Sequence, residues 1–198
     1  MTELMPLPEA VLPAGIRSRF VGGINGLTMH VLEAGFEERG RPLVLLLHGF
    51  PELAYSWRKV MLPLAAAGYR VVAPDQRGYG RTTGWDPDYD GDLGSFRILN
   101  AVRDTLGLVA ALGHREAATV AGHDFGASVA AWCALVRPDV FRSVALMSAP
   151  FAGPPALPLA DLRPAQRRDP RRVRLFERGD CRTAPGRRRA LTWRTGAG

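Results

Sequence analysis

The chain has 198 residues, of which 46% are hydrophobic, and its formal net charge at pH 7 is +7. This length is sufficient for one domain with a hydrophobic core, and no apolar run reaches the about 20 residues that a transmembrane helix needs. The two cysteines, Cys133 and Cys181, are too few for a disulfide framework. No basic residue precedes Arg17 and no apolar block precedes it either, so no secretory signal is visible. We therefore expect a cytoplasmic protein without a membrane span.

The positive charge is confined to the last part of the chain. Residues 160–198 contain 12 arginines and 4 acidic residues, whereas residues 1–159 contain 14 basic and 15 acidic residues. Such asymmetry is typical of arms that bind nucleic acid or membranes. The arginine-rich segment, however, has only Phe176 and Trp193 as aromatic residues and lacks a recognisable binding motif. We therefore expect no nucleic-acid partner, and the composition leaves the oligomeric state open.

The first half of the chain alternates strand and helix signals. Residues 17–34 predict two strands around a turn at Asn25-Gly26, a dipeptide typical of tight hairpins. Residues 42–48 form a continuous apolar run, which is typical of a strand buried on both faces. Apolar residues at helical spacing predict a helix over 52–67. A further strand is predicted over 70–74, before a glycine-rich loop.

The alternation continues through the second half. Residues 81–95 are polar and rich in glycine and aspartate, which indicates a loop. A helix is predicted over 96–112, a strand over 117–122, a small-residue helix over 126–136 and a strand over 143–149. Strands that alternate with helices indicate an α/β fold with a mostly parallel sheet and flanking helices.

We divide the chain into three segments on these patterns. Residues 1–16 are an N-terminal extension, residues 17–152 carry the alternating elements, and residues 153–198 are a tail rich in proline and arginine. From residue 160 onward the tail shows neither helical nor strand periodicity. We expect it to be disordered or aberrant, because its abrupt arginine content resembles an out-of-frame reading of a GC-rich gene or another truncation.

The first chemical signal lies between the strand at 117–122 and the helix at 126–136. Gly122, His123, Asp124, Phe125 and Gly126 form a sharp strand-to-helix turn of the nucleophile-elbow type, with aspartate at its centre. Small residues must flank such a turn, and the two glycines satisfy that need. The following helix directs its N-terminal amides at the central carboxylate, which favours the ionised form. We therefore predict that Asp124 is a nucleophile.

The second signal directly follows the buried strand at 42–48. His48, Gly49, Phe50 and Pro51 form a loop of the kind that supplies one main-chain N–H of an oxyanion hole. The residue after the nucleophile, Phe125, supplies the second N–H. We interpret His48 as a structural residue that bonds to the backbone near this loop.

These two motifs, with the glycine-rich loop 75–82 between them, resemble the epoxide-hydrolase branch of the α/β-hydrolase superfamily over roughly residues 18–152. The resemblance implies an α/β-hydrolase fold and a small apolar epoxide as substrate, with neither cofactor nor metal. It also implies that Asp124 attacks an epoxide carbon to form an alkyl-enzyme ester, which water then hydrolyses to a diol. The N–H groups of Phe50 and Phe125 would hold the developing oxyanion.

A haloalkane dehalogenase is the nearest enzymatic alternative, because it shares the aspartate elbow. Dehalogenases of this superfamily hold the leaving halide with side-chain N–H donors, whereas Phe50 and Phe125 have none. A third hypothesis is a non-catalytic remnant with a basic, anion-binding tail.

The sequence departs from the family pattern after the elbow. The family order is nucleophile, acid and then a histidine that activates water, but His30, His48, His114 and His123 all precede Asp124. The four tyrosines also precede it, whereas family members use lid tyrosines to protonate the epoxide oxygen. We therefore expect that the lid and the last strands are missing and that this chain lacks turnover.

Overall fold

The computed structural model describes residues 5–148. The predicted tail at 153–198 lies outside these residues, as do residues 1–4 and 149–152 at the ends of the other two predicted segments. Six strands are described: β1 (Ile16–Ile24), β2 (Leu27–Ala34), β3 (Leu43–Leu47), β4 (Arg70–Pro74), β5 (Thr119–His123) and β6 (Val144–Met147). Three α-helices are described: α1 (Arg58–Ala66), α2 (Ile98–Ala111) and α3 (Phe125–Val136).

The six strands form one sheet in the order β1-β2-β4-β3-β5-β6. Strand β3 pairs in parallel with both β4 and β5, and β5 pairs in parallel with β6. Strands β1 and β2 form an antiparallel hairpin that joins the sheet through antiparallel pairing of β2 with β4. The predicted α/β class, with a mostly parallel sheet and flanking helices, is confirmed.

The hairpin turn has the geometry that its sequence predicts. Asn25 and Gly26 have φ angles of 49° and 82°, and two consecutive positive φ values are the requirement of a type I′ turn. Ile24 and Leu27 pair directly across the turn. The Asn25 side chain also donates a hydrogen bond of 2.7 Å to Asp104 on α2, which attaches the hairpin to that helix.

The apolar core lies on both faces of the sheet. Leu43, Leu45 and Leu47 of β3 belong to a buried cluster with residues of α2 and α3, whereas Val44 and Leu46 belong to a second cluster with residues of α1. The alternation along one strand therefore separates two cores, which explains why β3 is apolar at every position.

Two helix starts differ from the prediction. Residues 54–57 form a 3₁₀ turn ahead of α1, and residues 93–96 form a 3₁₀ turn ahead of α2. The helix predicted from residue 52 is therefore an α-helix only from Arg58. At the first of these turns the main-chain N–H of Ala54 donates to the carboxylate of Asp75, 2.9 Å away, so a loop side chain satisfies the first amide of that turn.

The parallel pairing determines where the functional loops lie. Strands β4, β3 and β5 are neighbours and run in one direction, so their carboxyl ends meet at a single edge of the sheet. The loops at 48–51, 75–80 and the turn at 122–126 therefore converge there. Within residues 5–148, no helix is long and apolar enough to cross a membrane.

Candidate active site

The strand-to-helix turn holds Asp124 in an uncommon backbone conformation. Strand β5 ends at His123, helix α3 begins at Phe125, and Asp124 between them has φ 52° and ψ −121°. A positive φ is rare for a residue with a side chain, and such positions cost on the order of 1–3 kcal/mol. The turn raises the Asp124 side chain at the carboxyl edge of the sheet, where it is partly exposed.

Three glycines make this turn possible. A Cβ on Gly122 would overlap the carbonyl group of Gly126, and a Cβ on Gly126 would overlap the carbonyl oxygen of Leu47. A Cβ on Gly49 would lie 2.5 Å from the Cβ of Asp124. The turn therefore packs directly against the end of β3 and the loop that follows it, and a side chain at any of these positions would separate them.

The Asp124 carboxylate faces main-chain donors. The N–H of Phe50 donates to Asp124 Oδ1 at 3.0 Å. Hydrogen bonds from the N–H groups of Phe50 and then Phe125 lower the pKa of Asp124, and the charge of His123 adds a smaller effect in the same direction. The structure thus brings together the predicted nucleophile and both predicted oxyanion-hole residues, with the carboxylate ionised.

The two residues that donate to this carboxylate both carry phenyl side chains. The side chain of Phe50 is 71% exposed and that of Phe125 is 39% exposed, and neither carries a hydrogen-bond donor. The peptide bond between Phe50 and Pro51 is cis. The two residues whose N–H groups bond to Asp124 therefore carry exposed aromatic side chains without a side-chain donor.

His48 lies beneath this loop and is fully buried. Its Nε2 atom accepts a hydrogen bond from the main-chain N–H of Gln76 at 3.0 Å, and its Nδ1 atom lies 2.9 Å from the carbonyl oxygen of Gly49. The Gln76 side chain donates to the carbonyl oxygen of His48 at 2.6 Å. Burial lowers the pKa of His48, so the ring is neutral at pH 7. The interpretation of His48 as a structural residue agrees with these contacts.

His123 is the other histidine at the site. The Nδ1 atom of His123 is 3.5 Å from Oε2 of Glu52. This nitrogen atom is buried and has no hydrogen-bond partner within residues 5–148. This ring therefore lies beside the turn, next to the carboxylate of Glu52.

Asp75 stabilises the central loop. Its carboxylate bonds to His30 Nδ1 at 2.8 Å and accepts main-chain N–H groups from Ala54 at 2.9 Å and Arg81 at 3.1 Å. Burial acts to raise the pKa of Asp75, but the hydrogen bonds from His30, Ala54 and Arg81 outweigh it and lower the pKa. Both carboxylate oxygens are occupied, so Asp75 is a structural anion.

Two residues near the site had not been singled out from the sequence. Gln76 contacts His48, as described above, and the ring of Tyr79 packs edge-on against His48 with centroids 4.9 Å apart. Burial and then the charge of Asp124 raise the pKa of Tyr79. Gln76 follows β4 and His48 follows β3, so their contact could be predicted only with the parallel pairing of these two strands. Among residues 5–148, no group of three or more His, Cys, Asp or Glu side chains could hold a metal ion.

Comparison with protein families and curated relatives agrees with this geometry. The family described as alpha/beta hydrolase fold matches residues 42–190. An epoxide hydrolase of Caballeronia sordidicola is 42% identical over 127 residues, which cover 64% of this chain and 36% of that protein. Epoxide hydrolase A of Mycobacterium tuberculosis is 44% identical over 142 residues, which cover 72% of this chain and 40% of that protein. The chain thus spans less than half the length of these relatives.

Solved structures of epoxide hydrolases also resemble this chain. An epoxide hydrolase from an endophytic Streptomyces superimposes with a TM-score of 0.62 at 46% identity, covering 71% of this chain and 39% of that chain. An epoxide hydrolase from Vigna radiata superimposes with a TM-score of 0.60 at 41% identity, covering 69% of this chain and 39% of that chain.

Proposed function

From the premise that this chain belongs to the α/β-hydrolase fold family, we propose that Asp124 is the nucleophile of an epoxide-opening reaction. The observation that carries the proposal is the hydrogen bond from the Phe50 N–H to Asp124 Oδ1, 3.0 Å long, on a turn with positive φ. The Phe50 N–H holds Oδ1, and we assign the attack to the other carboxylate oxygen, Oδ2. The names of the relatives support an epoxide as the electrophile.

The first step forms an ester. The free oxygen of Asp124 attacks an epoxide carbon, the carbon–oxygen bond of the strained ring breaks, and the ring oxygen leaves as an alkoxide that takes a proton from solvent. The lowered pKa of Asp124 keeps the nucleophile ionised at pH 7. The aromatic side chains of Phe50 and Phe125, both exposed, favour a small apolar epoxide over a charged one.

The second step needs an activated water. Water attacks the carbonyl carbon of the ester, and the negative charge develops on Oδ1, the oxygen that faces the Phe50 N–H. We assign the N–H of Phe125 as the second donor to this charge. Collapse of this intermediate releases the diol and restores the carboxylate. A histidine base is expected for this step, but no histidine follows Asp124 in the 198 residues. We propose that the chain forms the ester and releases it slowly.

Intact mass spectrometry tests both steps. The full chain is incubated with styrene oxide, and we expect one adduct of the epoxide's mass on the peptide that contains Asp124. The matched control is Asp124→Asn, which retains the size of the side chain and loses the nucleophilic charge. An unmodified wild-type chain, or an adduct that persists in the control, would contradict the nucleophile. Release of diol as fast as the ester forms would contradict slow release and leave the nucleophile unaffected.

A further inference from the structure

We propose that Gln76 is a positioning residue: it holds His48 in one tautomer, and His48 in turn holds the peptide group that directs the Phe50 N–H at Asp124. The proposal rests on the proposed function for its kinetic consequence, but its structural part can be tested without any reaction. Gln76 touches none of the reacting atoms and acts only through His48 and the loop after β3.

The first step is the choice of tautomer. The main-chain N–H of Gln76 can only donate, and it points at His48 Nε2 over 3.0 Å. Nε2 must therefore carry a lone pair, so the proton of the neutral ring is on Nδ1. Nδ1 lies 2.9 Å from the carbonyl oxygen of Gly49, and the Nδ1–H donates to it.

The second step follows from the geometry of the peptide bond. The carbonyl of Gly49 and the N–H of Phe50 belong to one planar peptide group, and the only cis peptide bond within residues 5–148 is the next one, between Phe50 and Pro51. In a trans peptide the C=O and N–H point in opposite directions. His48 holds the carbonyl oxygen at one edge of the peptide group, so the Phe50 N–H at the opposite edge is directed at Asp124 Oδ1, 3.0 Å away.

Gln76 makes a second contact with His48. We call the arrangement of Gln76, His48 and the Gly49–Phe50 peptide group the clamp. Its side-chain amide donates to the carbonyl oxygen of His48 over 2.6 Å, so Gln76 contacts both the ring and the backbone of the same residue. His48 has no exposed surface and Gln76 is 6% exposed, so water cannot readily replace either bond. Loss of the amide would leave a buried carbonyl without its donor.

Protonation of His48 should open the clamp. A second ring proton, on Nε2, would face the Gln76 N–H, and two donors repel each other. Burial lowers the pKa of His48, while the Gly49 carbonyl and the charges of Asp75 and Glu52 act in the opposite direction. The Tyr79 ring packs against the imidazole as a neutral neighbour. We therefore expect the clamp to be intact at pH 7 and to open as pH falls through the His48 pKa.

Two substitutions at His48 separate its two contacts. An asparagine amide can replace Nδ1–H as the donor to Gly49, whereas a glutamine oxygen can replace Nε2 as the acceptor from Gln76. We expect His48→Gln to slow hydrolysis of the ester, measured as decay of the adduct, by at least about tenfold, because the oxyanion forms in that step and a displaced oxyanion donor costs up to 10²–10³-fold. His48→Asn keeps a donor to Gly49, so it should slow this hydrolysis less than His48→Gln does, and its rate should not fall as the pH decreases through the His48 pKa.

Gln76→Met tests Gln76 itself. Methionine has a similar length and retains the main-chain N–H, so only the donor to the His48 carbonyl is lost. We expect hydrolysis of the ester, measured as decay of the adduct, to slow about tenfold. Equal rates in Gln76→Met, His48→Gln and wild type would overturn the proposal.

Two NMR measurements are independent of the reaction. The ¹⁵N shifts of the His48 ring should report a protonated Nδ1 and an unprotonated Nε2 at pH 7, and the opposite tautomer would overturn the proposal. The carboxylate ¹³C titration of Asp124 should move to higher pH in His48→Gln, because the Phe50 N–H lowers this pKa. An unchanged Asp124 titration would also overturn it. If no ester forms while both NMR results hold, the proposed function fails and the clamp stands.

Discussion

Two aspartates follow β4 and β5, the strands on either side of β3, and their surroundings differ in one respect. Asp75 follows β4 and is 3% exposed, with both carboxylate oxygens bonded to the surrounding protein. Asp124 follows β5 and is partly exposed, with main-chain donors and a histidine charge nearby. The pKa of each carboxyl group is lowered, so charge alone does not distinguish them.

The difference lies in which lone pairs remain free. The partners of Asp75 come from three segments of the chain, at His30, Ala54 and Arg81, so its charge is used to hold loops together. Asp124 has lost part of its hydration without gaining a full set of partners. A carboxylate in this state retains the capacity to form a bond with carbon, whereas a saturated one does not.

The largest effect is expected when the aspartate on the turn between β5 and α3 is neutralised. Asp124→Asn should lower the rate of ester formation on the order of 10⁴-fold or more, as expected when a nucleophile is removed. Its free energy of unfolding should change by less than about 1 kcal/mol, because the side chain is partly exposed. Single-turnover mass spectrometry and urea denaturation measure the two quantities. A large loss of stability would show that Asp124 is also structural.

The converse substitution should affect stability. In Asp75→Asn the amide NH₂ must face either the Ala54 N–H or the donors from His30 and Arg81, whichever way it is turned. A buried donor opposite another donor should cost about 3 kcal/mol. Urea denaturation at pH 7 gives the value. A change under about 1 kcal/mol would contradict the structural role of Asp75.

The buried carboxylate of Glu33 predicts how the free energy of unfolding depends on pH. Burial acts to raise the pKa of Glu33, but Arg19, Arg70 and Arg17 outweigh it and lower the pKa to about 2 from 4.5. Because the folded pKa is the lower one, the stabilisation is complete above pH 4.5 and is lost as pH falls towards 2. It is on the order of 3 kcal/mol.

The free energy of unfolding measured between pH 5 and pH 2 checks this value. Glu33→Gln should remove the corresponding slope and leave the contributions of the other carboxylates. If the free energy of unfolding depends on pH equally in the variant and the wild type, the arginines do not stabilise the Glu33 carboxylate as proposed.

The smallest effect is expected where the side chain and the main chain of one residue have separate roles. Phe50→Ala retains the N–H that faces Asp124 and removes a ring that is 71% exposed. The free energy of unfolding should change by less than about 0.5 kcal/mol, and the Asp124 carboxylate should titrate as in wild type. A raised Asp124 pKa would show that the ring also orients the loop.

The parts predicted from the sequence are those that depend on neighbours in the chain. The turn around Asp124 was visible because glycines must occupy fixed positions beside it, and β3 was visible because an apolar run of strand length needs burial on both faces. The type I′ turn at Asn25 and Gly26 was predictable for the same local reason.

The parts that were missed depend on residues far apart in the sequence. His30 and Asp75 are 45 positions apart, and their contact requires the pairing of β2 with β4. Gln76 and His48 are 28 positions apart. The start of α1 was misplaced because helical spacing of Leu53 and Trp57 cannot distinguish a 3₁₀ turn from an α-helix over four residues. No local pattern carries this information.

The backbone at Asp124 also has a consequence for how the protein can be engineered. A φ of 52° with ψ −121° is a region that glycine occupies without penalty, whereas a Cβ makes it unfavourable. A search that rewards thermal resistance alone would therefore favour glycine at position 124 and discard the carboxylate. Thermal stability and the proposed nucleophile make opposite demands on this residue, so a set of variants selected for stability should keep Asp124 unchanged.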